Sequence, residues 1–232
     1  MKFIIEDKVF DKLPDVCFGA IVAEGIDNKY ADGIKELLSN EIARIETEFE
    51  DKKVKEDSRI NLYREAFRVL DINPNKFMSS IEALLTRVSK KKGLPNINAV
   101  VDLGNAISIR NFIPLGAHDI DTAGDDIYVR ISRDNDKFIP FGETEAESLD
   151  EGEIVYSVGN KIKTRRWIWR QSEEGKVTEE SSNIFFPLDG FKANKERLLK
   201  ARDELAVELE NKFGCKIKIG YLDKETKEFE IK

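Results

Sequence analysis

One stretch constrains the fold more than any other: Val16-Cys17-Phe18-Gly19-Ala20-Ile21-Val22-Ala23, the longest apolar run in the chain at about eight residues. It is far short of the ~20 apolar residues that a membrane-spanning helix needs. Short and rich in β-branched and aromatic residues, it predicts a strand buried on both faces. A strand of that kind needs partners on either side and cover above and below. The rest of the chain must supply them.

The covering elements announce themselves by spacing. Tyr30, Ile34, Leu37, Leu38, Ile42, Ile45 and Phe49 recur every three or four residues and predict an amphipathic helix. Ile60, Tyr63, Phe67 and Leu70 repeat the pattern up to Asn73-Pro74. Ser79-Ser80-Ile81-Glu82 reads as a capping box opening a third helix that closes near Gly93 and Pro95. A long helix from about Ala193 to Phe213 ends at Gly214. Strands are expected at Phe3–Ile5, Ile127–Ile131, Lys137–Phe141, Ile154–Val158 and Thr164–Gln171, with Lys216–Tyr221 and Glu228–Ile231 as a closing pair. With no repeat or long linker, the expectation is a single α+β domain over residues 1–232.

Several chemistries lack their residues. His118 is the only histidine, so a Ser-His-Asp or Cys-His set has one possible base. There is no GxxxxGK[ST], GxGxxG or G-x-S-x-G sequence and no Cys/His cluster. No cofactor and no metal are expected. Cys17 and Cys215 read as free buried thiols, and the acidic start of the chain argues against a secretion signal. A cytoplasmic protein without a membrane partner is the expectation. The net charge of −7 removes the simplest case for nucleic-acid binding, a globally basic domain, but leaves local basic patches open.

Two stretches carry candidate chemistry. In Thr164-Arg165-Arg166-Trp167-Ile168-Trp169-Arg170-Gln171, read as a strand, Arg165, Trp167, Trp169 and Gln171 share one face, and Arg166, Ile168 and Arg170 the other. Arginines offer bidentate contacts to phosphate or carboxylate, and indoles stack on bases or cations. The alternative is that the indoles pack the core and the arginines pair with acids. The second stretch runs from Ile97 to Ala106, with Asn105 after a turn-permissive glycine, and on through Pro114 to His118 and Asp119. His118 is either a proton carrier near neutral pH or a hydrogen-bonded structural group. Lys90-Lys91-Lys92 with Arg87 is a further basic candidate, or a complement to the end of its helix.

Ile97-Asn98-Ala99-Val100-Val101-Asp102-Leu103-Gly104-Asn105-Ala106 and Pro114-Leu115-Gly116-Ala117-His118-Asp119 resemble the B3/B4 domain, the tRNA-editing domain of the phenylalanyl-tRNA synthetase β subunit. The family pattern is I-[ND]-x-V-V-D-x-T-N-Y followed by Q-P-x-H-A-F-D. The resemblance covers about residues 79–187, and the segments Ser80–Leu84 and Arg165–Gln171 look more like free-standing members. It implies a β-sandwich-like core of unusual topology with flanking helices, the N- and C-terminal elements packing on it. It also implies the aminoacylated 3′ end of a tRNA as partner. Asn105, which this resemblance carries over, and His118, which stands two residues past the motif histidine position and is taken on its own chemistry, are the catalytic candidates. Glu82, Asp119, Arg165, Arg166, Trp167, Trp169, Arg170, Gln171 and Asn183 are the substrate-contact candidates. The chain departs from the pattern at Gly104, where the family has threonine, and at Gly116, where it has histidine.

The implied function is a stand-alone deacylase that hydrolyses the ester of a mischarged amino acid on tRNA, without a metal. The alternatives are a non-catalytic tRNA- or RNA-binding module, and a binding protein for an amino-acid-like small molecule. The oligomeric state is left open.

Overall fold

β2 (Val16–Glu24) is the strand that the apolar run predicts, and its two faces serve two different cores. Val16, Phe18, Ala20 and Val22 face one; Cys17, Ile21 and Ala23 face the other. The computed structural model describes residues 1–29, 31–121 and 123–232, so Tyr30, expected in the first long helix, lies outside the described residues.

β2 pairs antiparallel along its whole length with β8 (Asn183–Phe191), from Val16 opposite Phe191 to Glu24 opposite Asn183. β9 (Lys216–Leu222) lies on its other edge, and β3 (His118–Asp119) extends the sheet beyond β8. The second sheet runs β10 (Glu228–Glu230), β1 (Lys2–Ile5), β4 (Ile127–Ile131), β5 (Ile154–Val158), β6 (Lys161–Arg165), β7 (Arg170–Gln171). Its β1–β4 pairing is parallel.

The sheets face each other as a sandwich. Phe3 of one lies against Phe185 and Phe18 of the other, with ring centroids 4.8 and 6.0 Å apart. Helix α1 (Asp7–Lys12) links β1 to β2. α2 (Ile34–Glu48), α3 (Ser58–Val69) and α4 (Ser80–Ser89) close the sandwich core with Leu38, Ile45, Tyr63, Phe67, Ile81 and Leu85. α5 (Ala99–Asn111) and α6 (Lys195–Phe213) cover the far face of the β2–β8 sheet through Val100, Leu103, Leu198 and Leu205. The result is an α+β fold with a sandwich core and flanking helices.

Three local expectations are corrected. Gly104 lies inside α5 rather than at a turn, and a Cβ there would meet Leu115 Cδ2 at 3.2 Å, so glycine admits the chain that packs across the helix. β9 and β10 are not a hairpin: they join different sheets. Lys137–Phe141 makes only isolated bridges, because its partners Lys161, Glu147 and Ser172 belong to three separate segments.

Candidate functional site

The site is organised by the chain from Pro114 to His118, which returns from α5 along the edge of β8. Gly116 N–H donates to Pro187 O at 2.9 Å and Asp189 N–H to Pro114 O at 3.1 Å. Its side chains alternate, as an extended chain requires. Gly116 and His118 line a small cavity between the sheets, Ala117 lines a larger cleft beside α5, and Leu115 borders both.

Polar pins set the cleft's walls. Asn98 caps α5 by accepting from Val101 N–H at 3.0 Å, and its amide donates to Val177 O at 3.1 Å. Buried Asp102 accepts from Ile97 N–H and from Asn96 Nδ2, which holds the rim. The cleft measures about 450 Å³, within the usual range for small-ligand sites. Its walls are mostly apolar: Leu84, Leu94, Ile97, Val101, Leu115 and Val177, with the exposed Phe141 at the lip. Asn105, Gln171, Arg87 and Lys176 supply its polar groups. Gln171 Nε2 donates to Ala117 O at 3.0 Å. No described hydrogen bond from the protein engages the Asn105 side chain, which is half-buried in the cleft wall.

The inter-sheet cavity is of another kind. At about 70 Å³ it suits water rather than a nucleotide. Asp189 lies beside it, accepting at Oδ1 from Tyr156 OH at 2.7 Å and from Trp167 Nε1 at 2.6 Å. Burial raises the Asp189 carboxyl to about 7 against the pull of those two donors. The His118 ring stacks on Tyr156 with centroids 6.0 Å apart. Burial, with Lys163 adding repulsion, depresses the imidazole to about 3, so it is neutral at pH 7, and its buried Nδ1 has no partner among the described residues. Gly116 makes room for it: a Cβ there would meet Pro187 Cγ at 3.2 Å and His118 Nε2 at 3.4 Å. His118 thus fills the space in front of Gly116, where the family pattern has its own histidine.

The tryptophan segment is not one strand. Arg166 and Trp167 both adopt the left-handed conformation, with φ of 46° and 59°, at the turn between β6 and β7. That breaks the expected alternation, so Trp167 enters the core while Trp169 stacks edge-on against Phe77 at 4.8 Å. Backbone of this kind costs about 1–3 kcal/mol per residue and persists only where its surroundings over-determine it. Here Trp167 N–H donates to Ile154 O, and its indole N–H to Asp189.

The arginines point elsewhere. Arg165 is buried against Glu153 at 2.5 Å and Glu147 at 3.0 Å. Arg166 meets Asp150 at 2.6 Å, and Arg170 meets Glu143 at 2.8 Å. None lines the cleft or the inter-sheet cavity. Glu82 lies on the opposite side of α4, and it does not complete a capping box. Ser79 Oγ accepts from its N–H at 3.4 Å, but its carboxylate goes to Arg64 at 2.5 Å. Asp119 accepts from Asp121 N–H and from the Ser181 hydroxyl. Asn183 accepts from Gly25 N–H and donates to Asp121. Asn105, His118, Trp167, Trp169 and Gln171 therefore gather on two adjoining spaces; the other candidates do not join them.

Asp189, Tyr156 and Phe141 were not legible as site residues. Asp189 carried one usable signal, a lone acid in the run Ile184-Phe185-Phe186-Pro187-Leu188-Asp189, since unpaired carboxylates are rarely buried without a reason.

No helix among the described residues is long and apolar enough to cross a membrane. Among the described residues no group of three or more His, Cys, Asp or Glu side chains is placed to hold a metal ion.

The profile of the B3/4 domain matches residues 62–213. No curated protein matches the chain. Among solved structures, an N-terminal fragment of the phenylalanyl-tRNA synthetase β subunit from Pyrococcus horikoshii is similar at a TM-score of 0.49 and 14% identity. The alignment covers 93% of this chain and 49% of that one, so the chain spans about half the fragment's length.

Proposed function

The chain belongs to the B3/4 domain family, and from that premise we propose that it acts on the aminoacylated 3′ end of a tRNA, hydrolysing the ester of a wrongly attached amino acid. The tRNA enters this reading through the resemblance of Ile97–Ala106 and Pro114–Asp119 to the editing domain. The observation that carries the chemistry is the uncommitted Asn105 amide in a mostly apolar, ligand-sized cleft that adjoins a water-sized cavity lined in part by the buried Asp189 carboxyl.

In this reading the acyl group lies in the cleft and Asn105 Nδ2 donates to the ester carbonyl oxygen. An amide donor aimed at developing negative charge is worth ~3–4 kcal/mol in related chemistry. Water attacks the carbonyl carbon, the ester C–O bond breaks, and the ribose hydroxyl leaves with a proton. Asp189, held near neutrality by burial, is the group whose pKa suits the proton transfer. His118, already neutral, shapes the water cavity. Phe141 at the lip offers a ring for the terminal base, a contact worth ~1–3 kcal/mol.

A second reading, binding without turnover, is favoured by the low pKa of His118, which removes the one histidine as a base. Deacylation across a panel of misacylated tRNAs separates the two. We expect turnover of at least one member and a loss of about 10²-fold or more in Asn105→Ala. Failure to hydrolyse any member, with binding retained, leaves the second reading.

A further inference from the structure

A cleft larger than the Asn105 cleft lies on the other side of α4. It is a surface cleft of about 630 Å³ between the end of α2, the 3-10 turn at Val54–Glu56, α3 and α4. Among its lining residues, five are cationic and two are carboxylates, in a chain whose net charge is −7. One of the two, Glu82, is buried and neutralised by Arg64 at the cleft floor. Lys53 pairs with Glu56, but Lys52, Lys55 and Lys90 are exposed and form no ion pair among the described residues.

The stretch Lys90–Lys92 prolongs this face at the end of α4, and the helix does not need these side chains for its cap. Lys92 N–H donates to Arg87 O, and Lys91 N–H to Val88 O with Lys91 left-handed, so backbone groups already satisfy those terminal carbonyls. A role at the helix end also leaves Lys52 and Lys55 unexplained, since they arrive from a different element. Unpaired ammoniums gathered from two elements, on a protein that pairs many of its other cations, make a surface complementary to a polyanion.

The two clefts share α4 as their divider: Leu84 and Arg87 line the Asn105 side, while Glu82, Thr86 and Ser89 line the lysine side. A helix with its side chains is about 10–12 Å across, a span of a few nucleotides.

We propose that the lysine face formed by Lys52, Lys55 and Lys90–Lys92 is the docking surface for an RNA phosphate backbone whose 3′ end enters the Asn105 cleft. The choice of RNA over other polyanions rests on the reading given under Proposed function. The docking itself rests on the lysines. It supplies the phosphate contacts that the paired arginines of the Trp167 segment do not.

The test is binding of deacylated tRNA to the full chain at several salt concentrations, for wild type, the triple variant Lys52→Ala/Lys55→Ala/Lys90→Ala and a control, Lys8→Ala/Lys224→Ala, which removes exposed lysines from other surfaces. All the substituted side chains are exposed, so folding is expected to survive. The triple variant should lose about tenfold or more in affinity near 0.1 M salt. Its slope of log K against log salt should be shallower by about 0.7–0.9 for each contact removed, with the control unchanged. Unchanged affinity and slope in the triple variant overturn the inference even where misacylated tRNA is hydrolysed. The expected losses sustain it even where no aminoacyl-tRNA is turned over, so the two readings fail separately. A wild-type chain that binds anionic phospholipid vesicles through these lysines and does not bind tRNA overturns it as well.

Discussion

The Tyr156 hydroxyl donates to Asp189 Oδ1 across the space between the two sheets, at 2.7 Å, on the same oxygen that receives the Trp167 indole. The carboxyl that they hold is the one buried acid beside the water-sized cavity, and burial raises it from 3.8 to about 7. A carboxyl raised on folding contributes stability that is fully present below about pH 4 and is lost as pH rises toward 7. Asp189→Asn keeps an Oδ1 able to accept both bonds. Relative to wild type, this variant should therefore gain stability as pH rises from about 4 to 7, by up to ~1.4 kcal/mol per pH unit. Urea midpoints across that range measure it; a constant difference between the two proteins contradicts it.

His118 carries the opposite sign. Its imidazole falls from 6.5 to about 3 on folding, so its contribution is present above pH 6.5 and lost as pH falls toward 3. In wild type the two slopes oppose each other between about pH 4 and 6.5. His118→Phe should unmask the Asp189 slope, giving a protein that becomes less stable as pH rises through that window. Midpoints from the same urea series check this.

The two glycines at the family's threonine and histidine positions should respond differently to alanine. At Gly104 the added Cβ meets Leu115 Cδ2, a side chain that borders both open spaces and can move into them. Removing a helix-interior glycine gains ~0.5–1 kcal/mol. Gly104→Ala should be neutral to stabilising, while the displaced Leu115 narrows the cleft and weakens ligand binding. At Gly116 the Cβ meets the ring of Pro187, fixed within β8, and Gly116→Ala should cost ~1–3 kcal/mol. Thermal denaturation distinguishes them.

Arg165 should be structural. The residue is 3% exposed and its guanidinium is held by Glu153, itself 7% exposed. Removing one partner of a buried pair costs ~3–5 kcal/mol. Arg165→Ala should be strongly destabilised yet bind cleft ligands normally at temperatures where it stays folded. A selective loss of binding with unchanged stability would return the arginine to the site.

Phe141→Ala should do the reverse. The side chain is 53% exposed at the lip of the Asn105 cleft, so stability should change by less than ~0.5 kcal/mol. Affinity for adenosine-bearing ligands should fall by about 1–3 kcal/mol if the ring stacks on the base. Calorimetric titration reads both the affinity and its loss.

The sequence carried the elements with strong periodicity. The doubly buried β2 and the amphipathic α2, α3 and α6 follow from local patterning and appear as expected, while of the capping box at Ser79 only the serine half forms. α5 was hidden because Val100, Leu103 and Ile107 are flanked by further buried residues, leaving little polar contrast, and because Gly104 reads as a turn. The Trp167 turn was hidden for a different reason. Nothing local marks Arg166 and Trp167 for left-handed backbone; the partners that hold the turn, Glu153 on Arg166 N–H and Ile154 and Asp189 on Trp167, come from other segments. Asn105 was legible through the resemblance, whereas its open amide and the cleft around it depend on packing by Leu115, Phe141 and Val177 from three later segments.

The central claim is that the Asn105 cleft receives an aminoacyl ester. Its most direct measurement is a titration of isotope-labelled protein with a non-hydrolysable 3′-aminoacylamino-adenosine, following side-chain amide resonances. The account predicts that the Asn105 and Gln171 amides shift together and saturably, while that of Asn183, on the far end of β8, does not move. Saturable binding that leaves the Asn105 amide unperturbed would contradict it.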